Sequence, residues 1–498
     1  MDKLRLINYR CFDDTGDIEL RPITLLLGAN SSGKSSFIKF FPLLQQSVGT
    51  TVNGLFLWDG QYVDFKDFKN TVKDGNGEIT IEYTIDKMPV SYIFRRNDSV
   101  INDVRISMTL ASKDVFYDYL KQIVISYDKV NIKYDFVIDG RCKITANGIC
   151  SDEFNDESIQ VDFDNNLLPT IGFEYMTKNY GLLGSTSVSA AREIMKFRGE
   201  KNINSPSRLF NVDIERIPIE NWDTIYDQFK NQKELSTKKE LERITNIQFY
   251  QISGRILRAV NDYFNSLAGK FSYVLPLRSI MNRYYRFQNR AVDQIDPDGD
   301  NLAMYLNSLP KPKLEAFSKW LKELFHFSID LKPSEGHVEM LVQEEGRTKR
   351  NLVDVGFGYT QILPILTIIW KSIYGSDRPR SRRRSMEPIF IAIEQPELHL
   401  HPKFQSYFVD MLARVIYDCH RKGYKFSIII ETHSEIIVNK LGELIGSEES
   451  SLTSSDVNVV LFDAKREGLP NYVHTTTYDE NGYLENWPLG FFDEDDVY

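Results

Sequence analysis

Three stretches of the chain are almost wholly apolar, Ile23 to Leu27, Ile389 to Ile393 and Phe426 to Ile430, and a fourth such run spans Val457 to Phe462, with Thr24, Ser427 and Asn458 the polar residues within them. Short continuous runs bounded by polar residues predict strands buried on both faces, as in the parallel sheet of an α/β protein. From about 55 to 175 the pattern is different. Glu78 to Tyr83, Val104 to Met108, Ile123 to Tyr127 and Val130 to Tyr134 alternate with period two and are separated by Asn, Asp and Gly. That alternation predicts an antiparallel meander with one face in water. Leu4 to Tyr9 and Ile18 to Leu20, with turn residues 13–17 between them, predict a hairpin leading into the first apolar run. From about 176 to 270, Ala190 to Phe197 and Trp222 to Leu267 carry apolar positions three and four residues apart, which predicts helix. No heptad persists there, so a compact helical insertion is expected rather than a long coiled-coil arm. The expected division is 1–175, 176–270 and 271–498, with no internal repeat.

Composition narrows this picture only slightly. A chain of 498 residues is long for one compact domain, so at least two lobes are expected. A formal net charge of −10 argues against a surface built wholly for nucleic acid and leaves any such contact local. The basic run from Arg378 to Arg384 is either a solvated loop or a contact for phosphate or an acidic partner. Cys11, Cys142, Cys150 and Cys419 show no metal-ligand spacing, and no stretch approaches the roughly 18 apolar residues of a membrane span. A cytoplasmic protein without a membrane segment is the expectation.

The chemistry begins where the first apolar run ends. Gly28-Ala29-Asn30-Ser31-Ser32-Gly33-Lys34-Ser35 fits G-x-x-x-x-G-K-[ST], with a strand signal before it and a helical signal after it. In such a loop the backbone N–H groups from Asn30 to Ser36 (Asn30, Ser31, Ser32, Gly33, Lys34, Ser35, Ser36) cradle phosphates at a helix N-terminus. Lys34 reaches the β- and γ-phosphates, and the Ser35 hydroxyl ligates Mg²⁺. The second run ends in Glu394, a carboxylate at the strand terminus and the candidate partner of Ser35 on the metal. His399 and His401 do not have zinc-site spacing. The third run ends in Glu431-Thr432-His433-Ser434, where His433 either donates to a γ-phosphate or caps the following helix.

This order of pieces resembles the ABC-type ATPase heads of the RecF, SMC and OLD-like group. Gly28 to Ser35 stands as Walker A, Ile389 to Glu394 as Walker B, Pro396 to Pro402 as the D-loop region, and His433 as the H-loop histidine. Asp354-Val355-Gly356-Phe357-Gly358-Tyr359-Thr360-Gln361 is similar to the group's degenerate signature. The resemblance implies an α/β P-loop ATPase head, a mixed sheet with flanking helices, here with an antiparallel β lobe and an inserted helical lobe. It implies ATP and Mg²⁺ as ligands and a homodimer sandwiched around ATP, with larger assemblies open. In that dimer Gly358, Thr360 and Gln361 touch the nucleotide of the other protomer. For the Q-loop glutamine, Gln61, Gln45 and Gln46 all remain open.

Pro276 to Ser279, Asp296 to Leu302 and the tail Trp487 to Glu494 resemble a subgroup of bacterial ATPases often encoded in antiphage operons, including the ATPase subunits of Septu-like and PARIS-like systems. The implied role is a sensor or switch that controls a separately encoded effector. That effector is expected to be a nuclease of HNH or Toprim type acting in trans, because residues 434–498 leave no room for a nuclease domain of ordinary size. A RecF-like repair or chromosome-maintenance ATPase and a non-hydrolysing ATP-bound scaffold are the alternatives. One departure bears on the choice. Gln395 stands where the group has a catalytic Glu, and an amide can orient water but cannot accept its proton. Slow hydrolysis is therefore expected. Glu397 is a substitute carboxylate, off the position the group usually uses.

Overall fold

The computed structural model describes residues 2–50, 54–75, 77–89, 100–112, 118–137, 141–150, 159–162, 167–173, 238–276, 278–279, 281–286, 292, 294–334, 336–375, 389–463 and 473–486. The Ala190 to Phe197 helix, the first part of the stretch from Trp222 to Leu267, the basic run 378–384 and the tail 487–498 lie outside them. The chain forms two compact units. One comprises residues 1–9, 46–59 and 65–266, the other residues 10–45, 60–64 and 267–498.

The first unit contains the meander. Strands Glu78–Pro89, Val100–Ser112, Asp118–Tyr127, Val130–Phe136 and Cys142–Ala146 pair antiparallel in chain order, and Lys3–Tyr9 pairs antiparallel with Glu78–Pro89. Its buried face carries Ile79, Ile81, Tyr83, Ile106, Met108, Ile123, Ile125, Ile132 and Tyr134, the alternate residues the period-two pattern marks. Residues 238–270 form a single helix, Lys238–Lys270. Its residues Ile256, Leu257, Val260 and Phe264 are fully buried. Phe264 meets Tyr83 with ring centroids 4.8 Å apart, and Tyr134 Oη donates to Ser253 O at 2.8 Å. The long helix thus covers the apolar face of the meander, which an open antiparallel sheet needs.

The second unit is an α/β layer around a six-stranded sheet in the order Phe271–Val274, Ile389–Glu394, Phe426–Glu431, Ile23–Gly28, Val457–Phe462, Val473–Thr476. The first five are mutually parallel and the last is antiparallel. Every residue of Ile23–Gly28, Ile389–Glu394, Phe426–Glu431 and Val457–Phe462 is buried, which is why these strands read as near-continuous apolar runs. Helices Phe357–Tyr374, Pro402–Lys422 and Glu435–Ile445 contribute Ile362, Leu366, Phe408, Leu412, Val438 and Leu441 to the same core. A side chain of this size, fully buried, contributes about 1.5–3 kcal/mol. The fold class is the mixed α/β head expected from the sequence.

In the first unit the buried Asp118 carboxyl accepts from Trp58 Nε1 at 2.9 Å and Leu55 N at 3.0 Å, and burial raises its pKa. Replacing the indole donor leaves one carboxyl oxygen short of a partner. Trp58→Phe is expected to lower the unfolding free energy by about 1–3 kcal/mol, read from the urea midpoint.

Candidate functional site

The strand order decides which side chains meet. Phe426–Glu431 lies between Ile389–Glu394 and Ile23–Gly28, and the register pairs Glu394 with Glu431 directly across adjacent parallel strands. All three strands end on one edge, so two carboxylates and the Gly28 to Ser35 loop leave the sheet side by side. This is the crevice outside the carboxyl ends of the strands where open α/β sheets bind ligands.

The loop is sterically fixed. Gly28 has φ +151°, and a Cβ there would sit 2.2 Å from Phe462 O on the neighbouring strand. Gly33 has φ +110°, and a Cβ there would fall 2.7 Å from both Cys11 Sγ and the Phe12 ring. Only glycine fits at either position. Helix Lys34–Ile38 follows at once. Lys34 Nζ, buried, donates to Gly28 O at 2.8 Å and Ala29 O at 2.7 Å. Burial lowers the Lys34 pKa, and the charge of Glu431 partly restores it. Asn30 and Ser31 are exposed, Gly33, Ser35 and Ser36 are half-buried, and the buried Ser32 Oγ has no hydrogen-bond partner.

Ser35 Oγ donates to Glu431 Oε1 at 2.9 Å. Glu394 Oε1 accepts from the Tyr273 hydroxyl, from the edge strand. Both carboxylates are 4% exposed, and Glu431 Oε2 is a buried acceptor with no partner among the described residues. Desolvation first, then the charge of Glu394, push the Glu431 pKa up to about 7; burial also raises that of Glu394. Among the described residues no three His, Cys, Asp or Glu side chains converge as a metal cluster. The donor set here, one hydroxyl and two carboxylates, is oxygen throughout and suits Mg²⁺, which takes one or two carboxylates and fills its remaining positions with water and phosphate.

Gln395 lies one residue beyond Glu394 with φ +43°, in the left-handed region that a non-glycine residue rarely occupies. Its N–H donates to Glu431 O at 2.7 Å, and Arg278 holds the carbonyls on either side of the bond, Glu394 O at 3.0 Å and Gln395 O at 3.5 Å. Arg278 is itself 5% exposed, and burial lowers its pKa to about 10 against the opposing pull of Glu397 and Glu394. Its Nε has no partner among the described residues. Glu397 accepts from Thr432 Oγ1 and from His433 N, each at 2.8 Å. The carboxylate considered above as a substitute base is therefore engaged in holding the 431–433 segment. His433 is exposed as a residue, but partial desolvation of its imidazole, and then the charge of Lys34, lower its pKa.

The signature-like segment opens helix Phe357–Tyr374, but its side chains divide unexpectedly. Gly356 and Phe357 are exposed and Gly358 is half-buried. Thr360 is turned inward, donating to Phe357 O at 2.7 Å, and Gln361 is 1% exposed. As the protomer stands, the surface at this helix start is formed by Gly356 and Phe357, with Thr360 and Gln361 packed beneath. Gln45 and Gln46 donate to Phe271 O and Leu57 O, and Gln61 is exposed. His401 caps helix Pro402–Lys422 by accepting from Lys403 N at 3.2 Å.

Three residues of the site were not singled out from the sequence. Glu431 ends an apolar run just as Glu394 does, so the signal was present. Arg278 lies in a segment noted only for resemblance, and Tyr273 on a strand too short to be read.

A model of the family described as an AAA ATPase domain matches residues 1–438, a span that takes in the loop, both strand-end carboxylates and His433. No curated protein matches the chain. Among solved structures, an Smc head bound to the C-winged helix domain of ScpA is 11% identical with a TM-score of 0.36, covering 96% of this chain and 98% of that one. An Smc head with an extended coiled coil, bound to the C-terminal domain of ScpA derived from Pyrococcus furiosus, is 12% identical with a TM-score of 0.36 and 96% of each chain covered. The SMC head domain from Thermotoga maritima is 10% identical with a TM-score of 0.33, covering 96% of this chain and 98% of that one. Among the described residues no helix is long and apolar enough to cross a membrane.

The raised Glu431 pKa carries a stability consequence. A carboxyl whose folded pKa is about 7 against an ordinary 4.5 holds a proton in the folded state that the unfolded chain releases. Its contribution is complete below the ordinary value and is lost as pH rises through about 7. The melting temperature of the metal-free, nucleotide-free protein is expected to fall across that window, and Glu431→Gln is expected to flatten the fall.

Proposed function

Because the chain belongs to the AAA ATPase domain family, we propose that it binds Mg²⁺·ATP at the Gly28 to Ser35 loop, hydrolyses it slowly and uses the nucleotide state as a switch on a separate effector. The observation that carries this reading is the meeting of Lys34, Ser35, Glu394 and Glu431 on one sheet edge. Lys34 spends two of its three N–H groups on loop carbonyls and has the third for a phosphate oxygen. Ser35 and Glu394 hold the cation, which when bound neutralises charge on the phosphates. Asn30 to Ser36 supply backbone donors to the phosphates, and His433, exposed beside Lys34, donates to the terminal one.

Gln395 orients the attacking water. Its left-handed backbone, held by Glu431 and Arg278, sets where the amide points, while the proton has no carboxylate of the usual position to go to. Glutamine in this role sustains hydrolysis by positioning, since phosphoryl transfer depends chiefly on placement and charge stabilisation. A nucleotide that is held longer than it is turned over suits a switch. Two protomers close around ATP with the exposed helix start at Gly356 and Phe357, together with Gly358, facing the partner's nucleotide; Thr360 and Gln361 support that helix start from beneath. The setting we propose is antiviral defence with a nuclease effector, supported by the resemblance of 276–279, 296–302 and 487–494 to antiphage ATPase subunits.

Phosphate release and nucleotide-dependent mass, measured on the same samples, test this reading. Wild type is expected to turn over slowly and dimerise with ATP, Lys34→Ala to lose both, and Gln395→Glu to gain about 10²-fold in turnover. A wild-type chain that binds no ATP would sink the reading. One that binds and dimerises without releasing phosphate leaves a scaffold in place of a switch.

A further inference from the structure

We propose that Glu431 is a second carboxylate ligand of the divalent cation, so that the chain forms a two-carboxylate Mg²⁺ or Mn²⁺ site able to fill before nucleotide arrives. The inference rests on the proposed ATP site and adds a ligand to it. Glu394 and Glu431 are cross-strand partners on adjacent parallel strands, each 4% exposed. The only hydrogen bonds to their side chains among the described residues come from neutral hydroxyls, Tyr273 to Glu394 and Ser35 to Glu431. Glu431 Oε2 receives none.

No ion pair reaches either carboxylate among the described residues. Lys34 Nζ is bonded to the carbonyls of Gly28 and Ala29, and the Arg278 guanidinium is bonded to the main-chain oxygens of Glu394 and Gln395. Two buried like charges with no direct ion pair, offset only by the field of Lys34, Lys39 and Arg278, are costly. Either a proton or a cation settles them. The Ser35 hydroxyl, already within hydrogen-bond reach of Glu431, supplies a third oxygen at the same point.

The donor set selects the ion. One hydroxyl and two carboxylates match the one or two carboxylates by which Mg²⁺ is usually held, fewer protein oxygens than Ca²⁺ sites commonly supply, and contain no nitrogen or sulfur for a softer metal. Mg²⁺ and Mn²⁺ accept such a partial set and complete an octahedron with water. A site with two negative charges neutralises a divalent ion without help from phosphate. A single strand-end acid would need the nucleotide to do so.

The test is Mn²⁺ binding to the full-length, nucleotide-free protein near pH 8, followed by the loss of the free-ion electron paramagnetic resonance signal. Wild type is expected to bind one Mn²⁺ competitively with Mg²⁺. Glu394→Gln and Glu431→Gln are each expected to weaken it about tenfold or more, since even outer partners of a metal site carry effects of that size. Glu431→Asp, which keeps the charge at shorter reach, is expected to fall between wild type and Glu431→Gln; it also decides the matter if the amide variant does not fold. Wild-type affinity in Glu431→Gln or Glu431→Asp, or no Mn²⁺ bound by wild type without nucleotide, overturns the proposal. ATP binding in the presence of Mg²⁺, compared with Lys34→Ala, is measured alongside. If that binding persists while the Mn²⁺ result fails, only the second ligand is lost; if ATP binding also fails, the nucleotide site itself is wrong.

Discussion

The interaction on which this molecule's chemistry depends is the parallel pairing of Phe426–Glu431 between its two neighbours. Parallel strands in one sheet end on the same side, so an acid placed last on each of two adjacent strands must face its twin across one strand spacing. The Gly28 to Ser35 loop leaves from the third strand of that set. Local sequence alone cannot create the neighbourhood. It requires a crossover connection from each strand to the next, and helices Phe357–Tyr374 and Pro402–Lys422 bury their apolar faces on the sheet in doing so.

The second constraint is stored in the backbone. Gln395 occupies a conformation that costs of order 1 kcal/mol or more for a residue with a side chain, and it is kept there by hydrogen bonds from two directions. Arg278 contributes without a carboxylate partner among the described residues, bonding to carbonyl oxygens while the nearby glutamates supply the field. A buried guanidinium is suited to this because its planar fork spans consecutive carbonyls that an ammonium would meet one at a time.

Much of this was legible in the chain itself. Buried parallel strands print as continuous apolar runs, and the runs at 23–27, 389–393, 426–430 and 457–462 each became a strand within one residue of the expected ends. The meander was legible for the complementary reason, since one buried face leaves every second residue apolar. The strand Phe271–Val274 was not, because four residues directly after helix Lys238–Lys270 are too few to show a period. The inward turn of Thr360 and Gln361 was equally hidden. Motif spacing fixes which residues share a helix turn, but which side of that helix meets the core is decided by distant residues packing against it. Glu431 was visible and undervalued, because a one-acid expectation for the metal leaves a second strand-end acid without a task.

The bond from Glu397 to the 431–433 segment has a mechanical meaning. Glu397 belongs to the loop that follows one strand, and Thr432 and His433 belong to the loop that follows the next. Joined by one carboxylate at two points, these loops lose their independence. A displacement of His433 must either carry the 395–397 turn with it or give up both hydrogen bonds together. Gln395 and His433, to which we assign the water and the terminal phosphate, are thereby coupled as a single moving part, and the edge of the sheet has fewer degrees of freedom than its number of loops suggests.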